Sequence, residues 1–425
     1  MNRTGVAITA TAALVLGTLF GTAPASAEEA KDPTPTVVAG MEMSGPGGLG
    51  FLETNGRLVV TGFNDGVARV VNAAAWSIVG EIPTEVPGQS LVQLYPETGR
   101  AYLVGREPIV SVIDANSATL AAQIPMNPSD VNATSTLISQ ADVPLLLVSF
   151  APGASPGAVA LISTVTNFRR GTIVLPYETG GMAIPEDRLM MLMSNPGDGN
   201  VSFLDTFFVP FAEVPVGGTP GRIVTSRDGS RAYVSNADTG RIDVLDTDSQ
   251  TLAGSIDIGA GVTDMALSPN GLGLTALIPS TGEIVNVDLT TAAVVSRGSV
   301  GVEPVDVVYG TDNRVVYVAD RGGNALLAVD LLHELPGQPT NLKVKPGEKN
   351  ARISWRPPQA EGTAPVVRYR VTALPKAGSC TTTKRTCTIQ GLKPGKSYRF
   401  QVVAETEVGA SEPAVSKPIR IPRKK

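Results

Sequence analysis

Three observations predict an all-β chain. A unit of about 42 residues recurs seven times, each full copy holds four short runs of alternating apolar residues, and seven more such runs crowd into the last stretch of sequence. A four-stranded meander must bury its faces against neighbours, so seven copies in a row imply a seven-bladed β-propeller. The final runs then imply a β-sandwich behind it. A content of 45 Gly and 33 Pro supplies the tight turns that many short strands need.

The first 27 residues, "MNRTGVAITATAALVLGTLFGTAPASA", carry Arg3, an apolar stretch over 5–20 and small residues at 25–27. They read as a secretory signal peptide, with an uncleaved N-terminal anchor as the alternative. The apolar stretch is short and rich in Gly and Thr for a membrane span, and no later run approaches the length a span requires. The mature chain is expected to start near Glu28, with a short linker over 28–35. Charge divides unevenly. Residues 28–338 hold 15 Lys/Arg against 34 Asp/Glu, and 339–425 hold 18 against 5. An acidic body therefore carries a basic C-terminal domain.

The repeat is plainest from 216 onward. "VGGTPGRIVTSRDGSRAYVSNADTGRIDVLDTDSQTLAGSIDIG" aligns with the unit starting at Ile258 and again with the one starting at Val300, and four weaker copies precede them. The last unit stops after "NALLAVDLL" at 324–332 with one strand too few, while an orphan run, "TVVAGMEM" at 36–43, stands ahead of the first unit. Pairing these two would complete the last blade and close the ring, removing open strand edges. An open solenoid is the alternative. The propeller is thus expected over 36–334, with 36–43 as its closing strand.

"YVSN" at 233–236, "YVAD" at 317–320 and, in part, "AYLVG" at 101–105 resemble the YVTN-type β-propeller repeat of bacterial and archaeal surface proteins. That resemblance implies a ring-shaped binding platform. "LMMLMSN" at 189–195 departs from the pattern most clearly.

Beyond a linker at 335–338, residues 339–422 resemble a fibronectin type III sandwich, with a basic tail at 423–425. Trp355 stands where the family's core Trp packs, Tyr369 falls on the next strand, and "LKPGKSY" at 392–398 carries the Leu and Tyr of a tyrosine corner. Cys380 and Cys387 are the two cysteines of the chain. Their spacing suits a disulfide across a hairpin in an oxidising compartment, with paired free thiols as the alternative.

Catalytic signals are sparse. The one His, His333, sits beside the linker, and no GxSxG, HExxH or phosphate-loop motif occurs. No cofactor or metal is expected. The candidate ligand-binding surface is the propeller's loop face: loops such as "NADTG" at 236–240 and "DRGGN" at 320–324 offer Asn236, Asp238, Asp320 and Arg321, and the entry loops offer Arg222, Asp264 and Asp306 at matching positions of three blades. A mouth lined by Asn, Asp and Arg suits a glycan, a peptide or a cation, although the same residues also simply form turns. The expectation is a secreted or wall-associated, non-enzymatic binding protein of a Gram-positive envelope, monomeric, with an unknown protein or glycan at the loop face and no nucleic-acid partner. The basic domain either contacts an anionic wall polymer, docks on the acidic ring or stays solvated. A propeller lyase or hydrolase, or an accessory module in polysaccharide breakdown, is the alternative.

Overall fold

The computed structural model describes residues 34–139, 144–150, 157–186, 188–259, 261–331, 336–359, 366–375, 377–406 and 409–423. The leader expected over 1–27 and His333 lie outside them.

Between 36 and 330 the described strands form seven antiparallel sheets of four strands each. Six are continuous meanders, over 46–83, 89–125, 133–175, 182–215, 220–257 and 264–299, here sheets 1 to 6. Sheet 7 takes three strands from 304–330 and its fourth from Thr36–Glu42, which pairs antiparallel with Ala325–Asp330, Thr36 facing Asp330 and Glu42 facing Ala325. Trp76, in sheet 1, donates its indole N–H to the Gly40 carbonyl at 3.2 Å and so ties the closing strand to the next sheet.

The first, innermost strands touch one another in a closed order, sheet 1 to sheet 7 and back to sheet 1. Seven buried apolar clusters fill the spaces between neighbours. Each draws on two adjacent sheets, as where Met265 and Leu274 of sheet 6 meet Ile242 and Ile256 of sheet 5. This is the propeller solution: alternate residues of every strand face one neighbour and the rest face the other. The outer strands carry the exposed apolar residues, Phe168, Val174 and Phe211 among them.

Turn chemistry repeats with the sheets. An Asp closing the third strand accepts the backbone N–H groups of the turn: Asp114 from Asn116 and Ser117, Asp246 from Asp248 and Ser249, Asp288 from Thr290 and Thr291. In six sheets the residue leading into the fourth strand takes positive φ without being Gly: Trp76, Ala118, Asn167, Phe208, Gln250 and Ala292.

The C-terminal sandwich sets Thr340–Pro346, Asn350–Arg356 and Thr386–Gln390 against a sheet built on Arg368–Leu374, Ser379–Thr382 and Ser397–Thr406. Trp355 and Tyr369 are buried between the sheets, edge to face at 5.3 Å, and the Tyr398 hydroxyl accepts the Lys393 N–H at 3.2 Å beside buried Leu392, forming the corner. Cys380 and Cys387 are joined, but not across a hairpin. Cys380 lies on a strand of one sheet and Cys387 on a strand of the other, so the bridge links the two layers. The chain changes sheets within the residues between them, which a spacing read from sequence does not reveal.

Candidate functional site

In each meander, the loop after the second strand and the loop entering the first emerge on the same rim of the ring. Asn236 and Asp320 end the second strands of sheets 5 and 7 and are buried. Asn236 accepts the Thr219 N–H at 3.2 Å and donates to the Gly217 carbonyl at 2.8 Å and to Asp243 at 3.0 Å. The Asp320 carboxylate accepts the N–H groups of Val302 at 3.0 Å, Glu303 at 2.8 Å and Gly323 at 3.1 Å. These two side chains latch the entry loops, whose turning backbone leaves N–H groups that need buried acceptors. Their polar atoms are bonded to the protein's own backbone and, for Asn236, to the Asp243 side chain as well. Asp238 is exposed on the next turn and stands apart from them.

Arg222, Asp264 and Asp306 do come together. They lie on the neighbouring inner strands Pro220–Thr225, Asp264–Leu267 and Pro304–Tyr309, near the loop end of each. Arg222 Nε stands 3.5 Å from Asp264 Oδ1. The second Asp264 oxygen accepts the Val307 N–H at 2.9 Å, and Asp306 Oδ2 accepts the Leu49 N–H at 2.6 Å, so each carboxyl reaches to the next inner strand. Ser135 does the same for Met182 N–H at 3.0 Å between sheets 3 and 4. The enclosure of the channel, then the adjacent Asp264 charge and the hydrogen bond to it, push the Asp306 carboxyl well above the usual carboxylate range; Arg222 and the Leu49 N–H pull the other way.

Beside this channel mouth is a cluster that sequence reasoning found only in part. Phe63, Arg106 and Arg321 each follow the second strand directly, in sheets 1, 2 and 7, which are consecutive around the ring. The Arg321 and Arg106 guanidinium carbons lie 4.2 and 4.8 Å from the Phe63 ring centre, within cation–π range. Burial lowers the Arg321 pKa, with Glu303, 4.0 Å away, opposing and Arg106 adding to the effect. Aligning the residue after each second strand would have exposed Phe63 and Arg106; the Arg106 loop is one residue shorter than its counterparts, and this obscured the match. Among the described residues no group of three His, Cys, Asp or Glu side chains is placed to hold a metal ion.

Residues 337–420 match the profile of the fibronectin type III domain. Over the same end of the chain, 109 residues are 29% identical to mouse fibronectin type-III domain-containing protein 3A, covering 22% of this chain and 9% of that protein. A stretch of 91 residues is 33% identical to mouse myosin-binding protein H-like, covering 20% of this chain and 26% of that protein. The chain therefore spans only a small part of these curated relatives. Among solved structures, hydrazine synthase from Kuenenia stuttgartiensis superposes with a TM-score of 0.58 at 16% identity, over 68% of this chain and 96% of that one. The β-propeller domain of Cps50 (Swd1) from Myceliophteria thermophila superposes at 0.60 with 9% identity, over 70% of this chain and 99% of that one. At such identities the likeness establishes fold alone. The chain is a β-propeller followed by a fibronectin type III domain.

Proposed function

We propose that this is a secreted or cell-wall-associated, non-enzymatic binding protein, a seven-bladed YVTN-type ring that recognises a protein or glycan at its loop face, with the basic fibronectin domain as a second, charge-based contact to an anionic wall polymer. The reading rests on two side-chain groups carried on the loop rim, Arg222 with Asp264 and Asp306, and Phe63 with Arg106 and Arg321. A mouth that joins fixed charge to a partly covered aromatic ring suits recognition of a polar ligand.

The raised Asp306 carboxyl also favours a second reading, a hydrolase or lyase with Asp306 as general acid. One oxygen of each carboxyl is, however, already committed to assembly, Asp306 Oδ2 to the Leu49 N–H and Asp264 Oδ2 to the Val307 N–H.

The test is an array of peptides, neutral glycans and wall polymers probed with the full chain and with two surface variants: Arg106→Glu with Asp238→Lys on the loop face, and Lys384→Glu with Arg385→Glu on the exposed fibronectin loop. Binding that the loop-face variant loses, with no turnover of the bound compound, supports the reading. Ligands that both variants retain, or turnover abolished by Asp306→Asn, would replace it.

A further inference from the structure

Sheet 4 is the irregular member of the ring. Its inner strand is only Met182–Ala183, two residues, where the inner strands of sheets 1 and 7 run to seven and six. The described residues that follow, 184–186 and 188–190, lie outside the sheet instead of continuing to pair with the second strand, Met191–Asn195. This is the unit whose sequence, "LMMLMSN", departs furthest from the repeat.

The gap left between sheets 3 and 4 is a cavity of about 450 Å³ on the rim opposite the loop face. Its size falls within the range of small-molecule sites. Leu145 and Leu147 of sheet 3 form one wall, and Ile184, Met190, Met191 and Phe208 of sheet 4 another. Unbranched Met side chains adapt to a flexible guest. At the opening the apolar Leu189 is 87% exposed.

The polar groups are few and mostly committed. Ser139 Oγ accepts the Leu145 N–H at 3.0 Å, and Asp205 accepts the N–H groups of Phe207 and Val209, each at 2.9 Å. Arg188 differs: its partner, Asp248, is a surface residue whose side chain is 63% exposed, and an exposed pair of this kind is worth little, so a carboxylate buried beside it can compete. A planar carboxylate matches the guanidinium fork.

We propose that this cavity binds an aliphatic carboxylate, its alkyl chain among the Leu and Met side chains and its carboxylate on Arg188. At roughly 30 Å³ per water-sized group, a chain of about twelve carbons fits the volume. Burying that chain is the main driving force, at about 0.8 kcal/mol per methylene, and Arg188 selects the head group.

Titration calorimetry on the full chain with dodecanoate, dodecanol and acetate, below micellar concentrations, tests both parts. Dodecanoate binds, dodecanol binds about tenfold more weakly, and acetate shows no binding. Arg188→Gln brings dodecanoate down to the dodecanol level, and Met190→Trp, which fills the opening, removes both while a thermal melt confirms the fold. Dodecanoate binding that survives Met190→Trp, or acetate binding equal to dodecanoate, overturns the site. Equal affinity for acid and alcohol overturns the role of Arg188. Because no loop-face residue is altered, these outcomes leave the recognition reading to its own test.

Discussion

Asp306→Asn tests the raised carboxyl at the channel mouth. Asparagine keeps the side chain's shape, keeps an oxygen to accept the Leu49 N–H and supplies an amide donor toward Asp264. In the native protein the Asp306 carboxyl is raised, so between the ordinary Asp value near about 4 and that raised value the folded state holds one proton more than the unfolded chain. Stability from this group is complete below the unfolded value and is lost as pH rises through the folded one. For one proton the slope is at most about 1.4 kcal/mol per pH unit. The variant lacks that loss, so its stability relative to the native protein should climb with pH across the window and level off above it. Urea titrations followed by circular dichroism at a series of pH values, with ring and sandwich transitions fitted separately, measure the difference. Exposed carboxyls such as Asp228, held at about 2 by Ser226 and then Ser230, lose stability as pH falls instead, and they cancel in the comparison. A difference independent of pH, or one that shrinks as pH rises, would refute the raised Asp306 carboxyl.

Three further outcomes are expected. Deleting 34–45 uncovers the edge of Ala325–Asp330, so the ring should melt lower and light scattering should report aggregation; an unchanged melt would mean the ring does not depend on this closure. Replacing Cys380 and Cys387 by Ser opens a loop with a sequence separation of 7 and should cost the sandwich about 2.5 kcal/mol by the loop-entropy relation, leaving the ring transition in place. Ala292→Gly relieves a non-Gly residue at φ 53 on an exposed turn and should stabilise sheet 6 by up to about 1 kcal/mol in chemical denaturation; a loss of stability there would show that the turn is held by something other than backbone preference.

The sheets were legible because period and alternation are imposed by burial on both faces, and the orphan run at 36–43 declared itself by alternating where no unit claimed it. The closing pair of Thr36–Glu42 with Ala325–Asp330 follows from that pattern. The site was legible only in part. Asn and Asp at the end of a strand satisfy turn backbone and ligands with the same atoms, so Asn236 and Asp320 could not be told from binding residues before their partners were seen. Arg222, Asp264 and Asp306 could be grouped because equal positions in consecutive units must become neighbours around a ring. Their consequence, a raised Asp306 carboxyl, depends on enclosure and on which N–H each oxygen accepts, and neither is written in the spacing. The disulfide was paired correctly but given the wrong architecture, since the strands Ser379–Thr382 and Thr386–Gln390 pair with different sheets.

The same logic explains where this ring has chemistry to spare. In its regular sheets the polar side chains near the channel are consumed in assembly: Asp264 and Asp306 each hold the next strand's N–H, Ser135 holds Met182, and Asn236 and Asp320 hold entry loops. Recognition must then come from positions that assembly leaves free. One is the residue after the second strand, whose backbone N–H bonds the entry loop but whose side chain is not spent on holding backbone and varies from Phe63 to Arg106 to Arg321. Another is sheet 4, where a two-residue inner strand sacrifices pairing and opens a cavity. Restoring a full inner strand there by grafting the sheet 5 residues 220–225 over the corresponding stretch would close the gap if the short strand causes it. Local departures from a repeat cost stability, and a departure that closes without loss of ligand binding would show that it was never functional.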